Sequence, residues 1–252
     1  ASYSMVAIFE ERIVGVLFYM RYNFYNESRE VIKSVRPVDG CTASEMRGKG
    51  IFKKLMTACL EYYNSSFELI MATPNSNSFP ELVKLGWEKP EHSYTYRFGF
   101  LLGSKLRQGE NLNAIAKREN HKKPLSTGGK YQVGNSLKYL QWRYPDPTYS
   151  KIKFEFKEKV VYVVYRIDRI KGFPTVILCD SYGNEILLPI ALKKILYKEK
   201  INFVYYLENK FNTQLSPLFS LRHKPALILF KGENYELLDK LVISLGDLEG
   251  KI

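Results

Sequence analysis

Arg47-Gly48-Lys49-Gly50-Ile51 decides the reading of this chain, because of what stands on either side of it. Residues 31–38 have the apolar, β-branched character of a strand. Beyond the loop, apolar side chains fall at Phe52, Leu55, Met56, Cys59, Leu60 and Tyr63, the spacing of one helix face. Two glycines at such a junction let a ligand approach the backbone closely. The first turn of the helix then presents N–H groups that have no intrahelical partner. Arg47 and Lys49 add positive charge. That combination suits a phosphate or a diphosphate.

A Walker loop requires GxxxxGK followed by Ser or Thr, and a dinucleotide fingerprint requires GxGxxG; this stretch supplies neither. What remains is R-G-x-G-apolar at a strand-to-helix turn. It resembles the acetyl-CoA diphosphate loop of the GNAT superfamily of acyl-CoA N-acyltransferases, written [QR]-x-x-G-x-[GA]. Upstream, Met5 to Ala7 and Glu11-Arg12-Ile13-Val14-Gly15-Val16-Leu17 read as strand, charged turn and strand, with the family's "ivG" step. Downstream, Leu69-Ile70-Met71-Ala72 leads into Pro74-Asn75-Ser76-Asn77-Ser78 and a helix ending Lys84-Leu85-Gly86-Trp87, similar to the family's "P-N-x-x-S … L-G-[FW]". Phe52 stands at the last motif position, where the family usually has Gly or Ala. The resemblance begins at the family's second strand. It therefore implies an N-terminally truncated chain, without the first strand and the helices that wall the acceptor groove.

The resemblance also implies site roles. Arg47, Gly48, Lys49, Gly50, Ile51 and Phe52 would hold the diphosphate of acetyl-CoA, the cosubstrate. The preceding strand would splay from its neighbour and leave main-chain groups of Cys41 and Thr42 for the pantetheine arm. Asn75 matches a position that often bonds the cofactor, though Asn suits a turn or helix cap equally. An amine must lose a proton to react. The family's carboxylate position falls near Cys41, which is no acid, and its tyrosine position falls on Leu82. Asp39, two residues before Cys41 and on its face under strict alternation, is the remaining candidate base, acting through water. A turn aspartate before Gly40 is its plainer role. The expected activity is acyl transfer to a primary amine, an amino sugar or other small molecule. The alternative is a catalytically idle CoA-binding or scaffold protein of the same fold.

Composition sets the outer bounds. A chain of 252 residues, 45% hydrophobic, has material for one large or two modest domains. No apolar run approaches membrane-spanning length. Cys41, Cys59 and Cys179 are widely spaced and odd in number, which points to reduced, cytoplasmic residence and away from a metal site. The net charge of +12 is lopsided: residues 1–100 hold 12 Lys or Arg against 11 Asp or Glu. A basic surface attracts nucleic acid, but no RRM, OB-fold or helix-turn-helix pattern is present. An anionic cosubstrate or a solvated basic face accounts for the charge. His92, His121 and His223 read as surface residues.

The pattern predicts an α+β chain of two GNAT-like mixed-sheet units with flanking helices. Residues 1–102 form the acyl-CoA-binding unit, closed by an aromatic strand over Tyr94–Phe100. Residues 103–135 read as a basic linker with one short helix near Leu112–Lys117. Residues 136–252 form a degenerate second unit. Its strands fall at Lys151–Lys157, Val160–Ile167, Thr175–Cys179, Ile201–Leu207 and Leu227–Phe230, with a helix over Ile186–Tyr197 and a closing segment at Leu241–Leu245. The turn before that helix, Asp180 to Glu185, lacks the arginine and the second glycine, so this unit is expected to carry no cofactor loop. Trp142-Arg143-Tyr144 and Leu245-Gly246-Asp247 resemble tandem GNAT proteins.

Overall fold

A computed structural model describes residues 3–26, 28–63, 66–91, 94–103, 110–111, 130–134, 136–156, 158–209, 212, 215, 217, 219–232 and 235–248. Two compact units emerge. One comprises Ala1–Phe24, Val31–Glu91 and Leu227–Asp239, the other Tyr25–Glu30, His92–Ala226 and Lys240–Ile252.

The first unit is built on a five-stranded sheet. Strand β1 (Tyr3–Phe9) and β2 (Arg12–Arg21) form a hairpin across Glu10 and Glu11, both at positive φ. Two-residue strands β3 (Phe24–Tyr25) and β4 (Val31–Ile32) follow. Then come β5 (Ser34–Thr42), helix α1 (Ile51–Tyr63), β6 (Leu69–Ala72) and helix α2 (Ser78–Lys84). The sheet order is β1-β2-β5-β6-β15, where β15 is Leu229–Gly232. The helical spacing read in the sequence is borne out: Leu55, Met56 and Cys59 of α1 are buried against Leu17, Tyr19, Val35 and Ile70. Gly15 explains the "ivG" step. A Cβ there would lie 2.7 Å from Ile51 Cγ2 and 3.1 Å from Leu55 Cδ1. Glycine lets the first turn of α1 settle onto β2. Inside this core the Tyr19 hydroxyl meets Met56 Sδ at 2.6 Å, and burial pushes the Cys59 thiol up to about 11.

The second unit carries a seven-stranded sheet in the order β14-β7-β13-β12-β11-β10-β8. Its strands are β7 (Thr95–Phe100), β8 (Glu110–Asn111), β10 (Ser150–Phe156), β11 (Lys159–Ile170), β12 (Phe173–Gly183), β13 (Phe203–Glu208) and β14 (Phe219–Pro225). Outside that sheet, β9 (Tyr131–Val133) runs parallel to β16 (Leu241–Val242), in the sheet order β16-β9-β3-β4. Helix α3 (Leu137–Arg143) is capped by Ser136, whose Oγ accepts the Tyr139 N–H at 3.2 Å. Helix α4 (Leu187–Glu199) buries Leu188, Ala191, Leu192, Ile195 and Leu196 against Val161, Val163 and Val176.

Three expectations change. The aromatic strand over 94–100 exists, but it lies between β13 and β14 in the second unit's sheet, so it does not close the first. Tyr96, Phe98 and Phe100 make one face aromatic, while Thr95, Arg97 and Gly99 share the other, where Arg97 pairs with Glu208 of β13. The first unit is closed instead by β15, paired antiparallel with β6 from more than 150 residues later. Within 103–135, Glu110–Asn111 pairs with β10 and Tyr131–Val133 with β16, so parts of the expected linker are strands. The helix expected near 112–117 lies outside the described residues. Strands β11 and β12 run past the expected Ile167 and Thr175 to meet at Lys171 and Gly172, both at positive φ, as a two-residue hairpin demands.

Candidate functional site

The loop that opened the sequence reading is a genuine strand–turn–helix. After β5 a short 3-10 turn (Ser44–Met46) leads into Arg47–Gly50, and α1 starts at Ile51. Gly48 and Gly50 sit at φ 76 and 73, where side chains are strained. A Cβ built on either meets nothing within 4 Å. The space beside both glycines is therefore open. The first backbone bond of the helix runs from the Lys54 N–H to the Gly50 carbonyl, 3.0 Å. The amides of Ile51, Phe52 and Lys53 precede that bond, and the first turn contains no acidic residue to cap them. Arg47 and Lys49 are exposed; Arg47 Nε donates to the Thr42 carbonyl at 3.4 Å. One carboxylate belongs to the loop region: Glu45, fully exposed, held below its usual range by its own backbone and by the Ser44 hydroxyl. Phe52 is a helix residue whose ring lies against Gly40, where a Cβ would be 3.3 Å away. Its bulk belongs to the core, and the loop's open positions are 48 and 50.

The neighbouring strands part as the resemblance implied. Parallel pairing of β5 with β6 is confined to Ser34↔Leu69 and Val35↔Ile70, while β5 itself runs on to Thr42. On its other side β5 stays paired with β2 through Val16↔Cys41 and Gly15↔Thr42. The register slips between those pairs and Phe18↔Val38, so Asp39 and Gly40 share one place opposite Leu17. Asp39 takes φ 47 in this bulge and is exposed, as is Cys41. The bulge breaks the period of two by which Asp39 would share the face of Cys41.

Asn75 has a structural task. Its Oδ1 accepts the N–H groups of Asn77 and Ser78, at 3.0 and 2.9 Å, and the Ser78 hydroxyl, at 3.1 Å, fixing the start of α2. Leu82 is buried in the α1 core, 2% exposed, so the family's tyrosine position carries no acidic side chain here. His92 and His121 lie outside the described residues, and so does the side chain of His223. Among the described residues no cluster of three His, Cys, Asp or Glu is arranged for a metal, and no helix is long and apolar enough to cross a membrane.

The second unit repeats the fork and closes it. Strand β12 pairs in parallel with β13 only from Thr175↔Phe203 to Ile177↔Tyr205, then continues to Gly183 with its own bulge opposite Val164 and Tyr165. Gly183 here is not open: a Cβ would lie 2.3 Å from the Val160 carbonyl oxygen. Asn184 Oδ1 takes the Ile186 N–H at 3.1 Å, the kind of amide an anion would need. Gln132 of β9 donates to the Ser181 carbonyl, and Asn209 Nδ2 to that of Ile243. A cavity of about 50 Å³ remains, lined by Asp180, Lys130, Asn209, Asn212 and Ser244 among aliphatic walls. Asp180, 4% exposed, accepts a 2.5 Å bond from the Tyr144 hydroxyl. Burial, and then the neighbouring Asp247, push it up to about 8. Sequence reading missed this cluster. Its signal was an acid directly continuing the apolar run 176–179.

No protein-family model matches the sequence, and no curated protein matches it. Solved structures do. A GCN5-related N-acetyltransferase from Anabaena variabilis is similar at TM-score 0.65 and 12% identity, over 90% of this chain and 62% of that one. One from Kribbella flavida gives 0.62 and 14%, over 91% and 59%. Eis1 from Mycobacterium abscessus gives 0.54 and 11%, over 91% and 64%. The chain thus has the fold of the GNAT superfamily, in two units, and spans about three-fifths of the length of these structures.

Proposed function

We propose that this chain transfers an acyl group from acyl-CoA to an amine. The observation that carries the reading is the contrast between its two strand–turn–helix junctions. At Gly48 and Gly50 the turn is open, basic and uncapped; at Gly183 the equivalent turn is packed and capped by the protein itself. The amides of Ile51, Phe52 and Lys53, with Arg47 and Lys49, suit the CoA diphosphate. The fork beyond Val35 and Ile70 leaves β5 main-chain groups on its β6 side for the pantetheine arm. Backbone donors there can also bond the thioester oxygen as it gains charge in the transition state. Holding amine and thioester together would supply a large part of the acceleration, roughly 7–11 kcal/mol in favourable cases. Asp39, exposed at the bulge, would take the amine proton through water. Replacing it, Asp39→Asn, should lower kcat at neutral pH and leave CoA affinity in place.

One observation favours the second reading, an idle CoA-binding protein: Leu82 is locked in the core where the family offers a tyrosine. Release of free CoA thiol from acetyl-CoA across a panel of primary amines separates the two. Amine-dependent thiol release supports the transferase. CoA binding with no thiol release over the whole panel supports the idle protein.

A further inference from the structure

One end of the second unit's sheet carries an apolar surface that the acyl-transfer chemistry leaves unused. Residues directly opposite each other in neighbouring strands share a face. The register runs Phe219↔Phe100↔Phe203 across β14, β7 and β13, with Leu221↔Phe98 one step inward. On β12, Phe173 brings its ring to 4.8 Å from that of Phe203, and Ile170 opposes Phe173 from β11. Phe173, Phe219 and Leu221 are 49%, 59% and 40% exposed, an unusual concentration of large apolar side chains on the surface. Basic residues rim it. Lys171 lies in the hairpin turn between Ile170 and Phe173, Lys200 follows α4 three residues before Phe203, and Lys224 Nζ stands 5.9 Å from the centre of the Tyr96 ring. All three lysines are exposed. The nearby acids are already matched, Asp168 by Arg166 at 3.1 Å and Glu199 by Lys198 at 3.3 Å. The surplus is positive, in keeping with the basic excess of the chain beyond residue 100.

Charge and ring packing choose among occupants. A second copy docking this face on itself would set lysines against lysines about a twofold axis. Single-stranded nucleic acid needs free ring faces on which bases stack. Here Phe203 has Phe98 stacked on it at 5.2 Å and the edge of Phe100 at 5.5 Å, so the rings serve one another. A continuous hydrocarbon surface rimmed by ammonium groups matches the interface of an anionic bilayer, where apolar side chains enter the acyl boundary and lysines reach the headgroups. We propose that this end of the second unit's sheet docks the protein on an anionic phospholipid surface. Phe173, Phe219 and Leu221 enter the interface, and Lys171, Lys200 and Lys224 meet the headgroup phosphates. The proposal does not depend on the acyl-transfer reading.

Co-sedimentation of the whole chain with extruded vesicles tests it, comparing pure phosphatidylcholine with an equal mixture of phosphatidylcholine and phosphatidylglycerol. The chain should bind the mixture and not pure phosphatidylcholine, and added salt should weaken the binding. Each lysine close to an anionic surface is worth about fivefold in affinity, so Lys171→Glu combined with Lys200→Glu should weaken binding about tenfold or more. Phe173→Ser combined with Phe219→Ser should weaken it to a similar extent, by removing the apolar area that enters the interface. Thermal midpoints report whether the variants fold, and where the phenylalanine pair does not, Phe219→Ser alone decides. No binding to the mixture, equal binding to both vesicles, or binding unchanged by either the lysine or the phenylalanine substitutions overturns the proposal. Retention of a fluorescent oligothymidylate without vesicle binding gives the face to nucleic acid and overturns it. A dimer of the free chain that Phe219→Ser dissolves gives the face to a second copy and likewise overturns it.

Discussion

Glycines that look alike in sequence do different work here. Gly48 and Gly50 hold positive φ beside empty space, Gly15 yields room to Ile51 and Leu55, and Gly183 packs on a carbonyl. Gly15→Ala should cost stability, about 1–3 kcal/mol by the usual scale of overpacking, read as a lower urea midpoint. Gly50→Ala has space for its methyl but forces it into the left-handed region, so it should weaken CoA binding as well as lower stability by about 1 kcal/mol. Asp180 gives a pH signature. Its carboxyl faces Tyr144, the residue after α3, and lies near Asp247, Ser244 and Arg143; burial pushes it up to about 8 in the folded chain. Its unfolded value is near 3.9. Folding therefore retains a proton that the unfolded chain releases, and the stabilisation, complete below pH 4, drains away as pH rises to about 8. The urea midpoint should fall across that window, and Asp180→Asn should flatten the fall. A midpoint indifferent to pH in both proteins would place Asp180 in a solvated, ionised state.

At the scale of elements, the β5–α1 junction was legible in the sequence because its parts are local. A strand, two glycines and a helix face occupy consecutive residues, and neighbours along the chain dictate their conformation. The bulge at Asp39 and Gly40 was not legible, because it exists only in pairing with Leu17 of β2. That hidden slip is why strict alternation misassigns the face of Asp39. Asn75 likewise reads equally as ligand or cap in sequence, and three hydrogen bonds to its Oδ1 show the cap. The fork has a consequence that hydrogen exchange can follow. Amides in 38–42 and 50–53 should slow when CoA is added, those of β12 and the start of α4 should not. Equal protection in both forks would mean that the second is not sealed by Gln132, Asn184 and Asn209.

For the whole molecule, the two-unit α+β architecture was legible from the repeated order of strands and helices, but the boundaries were not. Strand β15, residues 229–232, completes the edge of the first sheet, and β7 pairs on both sides within the second, so partners far along the chain decide both boundaries. A fragment ending at residue 102 lacks β15 and exposes the edge of β6 together with Met71 and Ala72, which are buried in the whole chain. Such a fragment should melt without a cooperative transition, whereas the full chain should show one; a well-folded fragment would contradict the division described above. The claim on which the functional reading turns is that the open glycine turn binds a diphosphate. Calorimetric titration of CoA into the full chain and into Arg47→Ala tests it most directly. Saturable binding, weakened about tenfold by the substitution and further by added salt, is the predicted result. No heat with the intact, folded chain, or an affinity unchanged by removing Arg47, would contradict it.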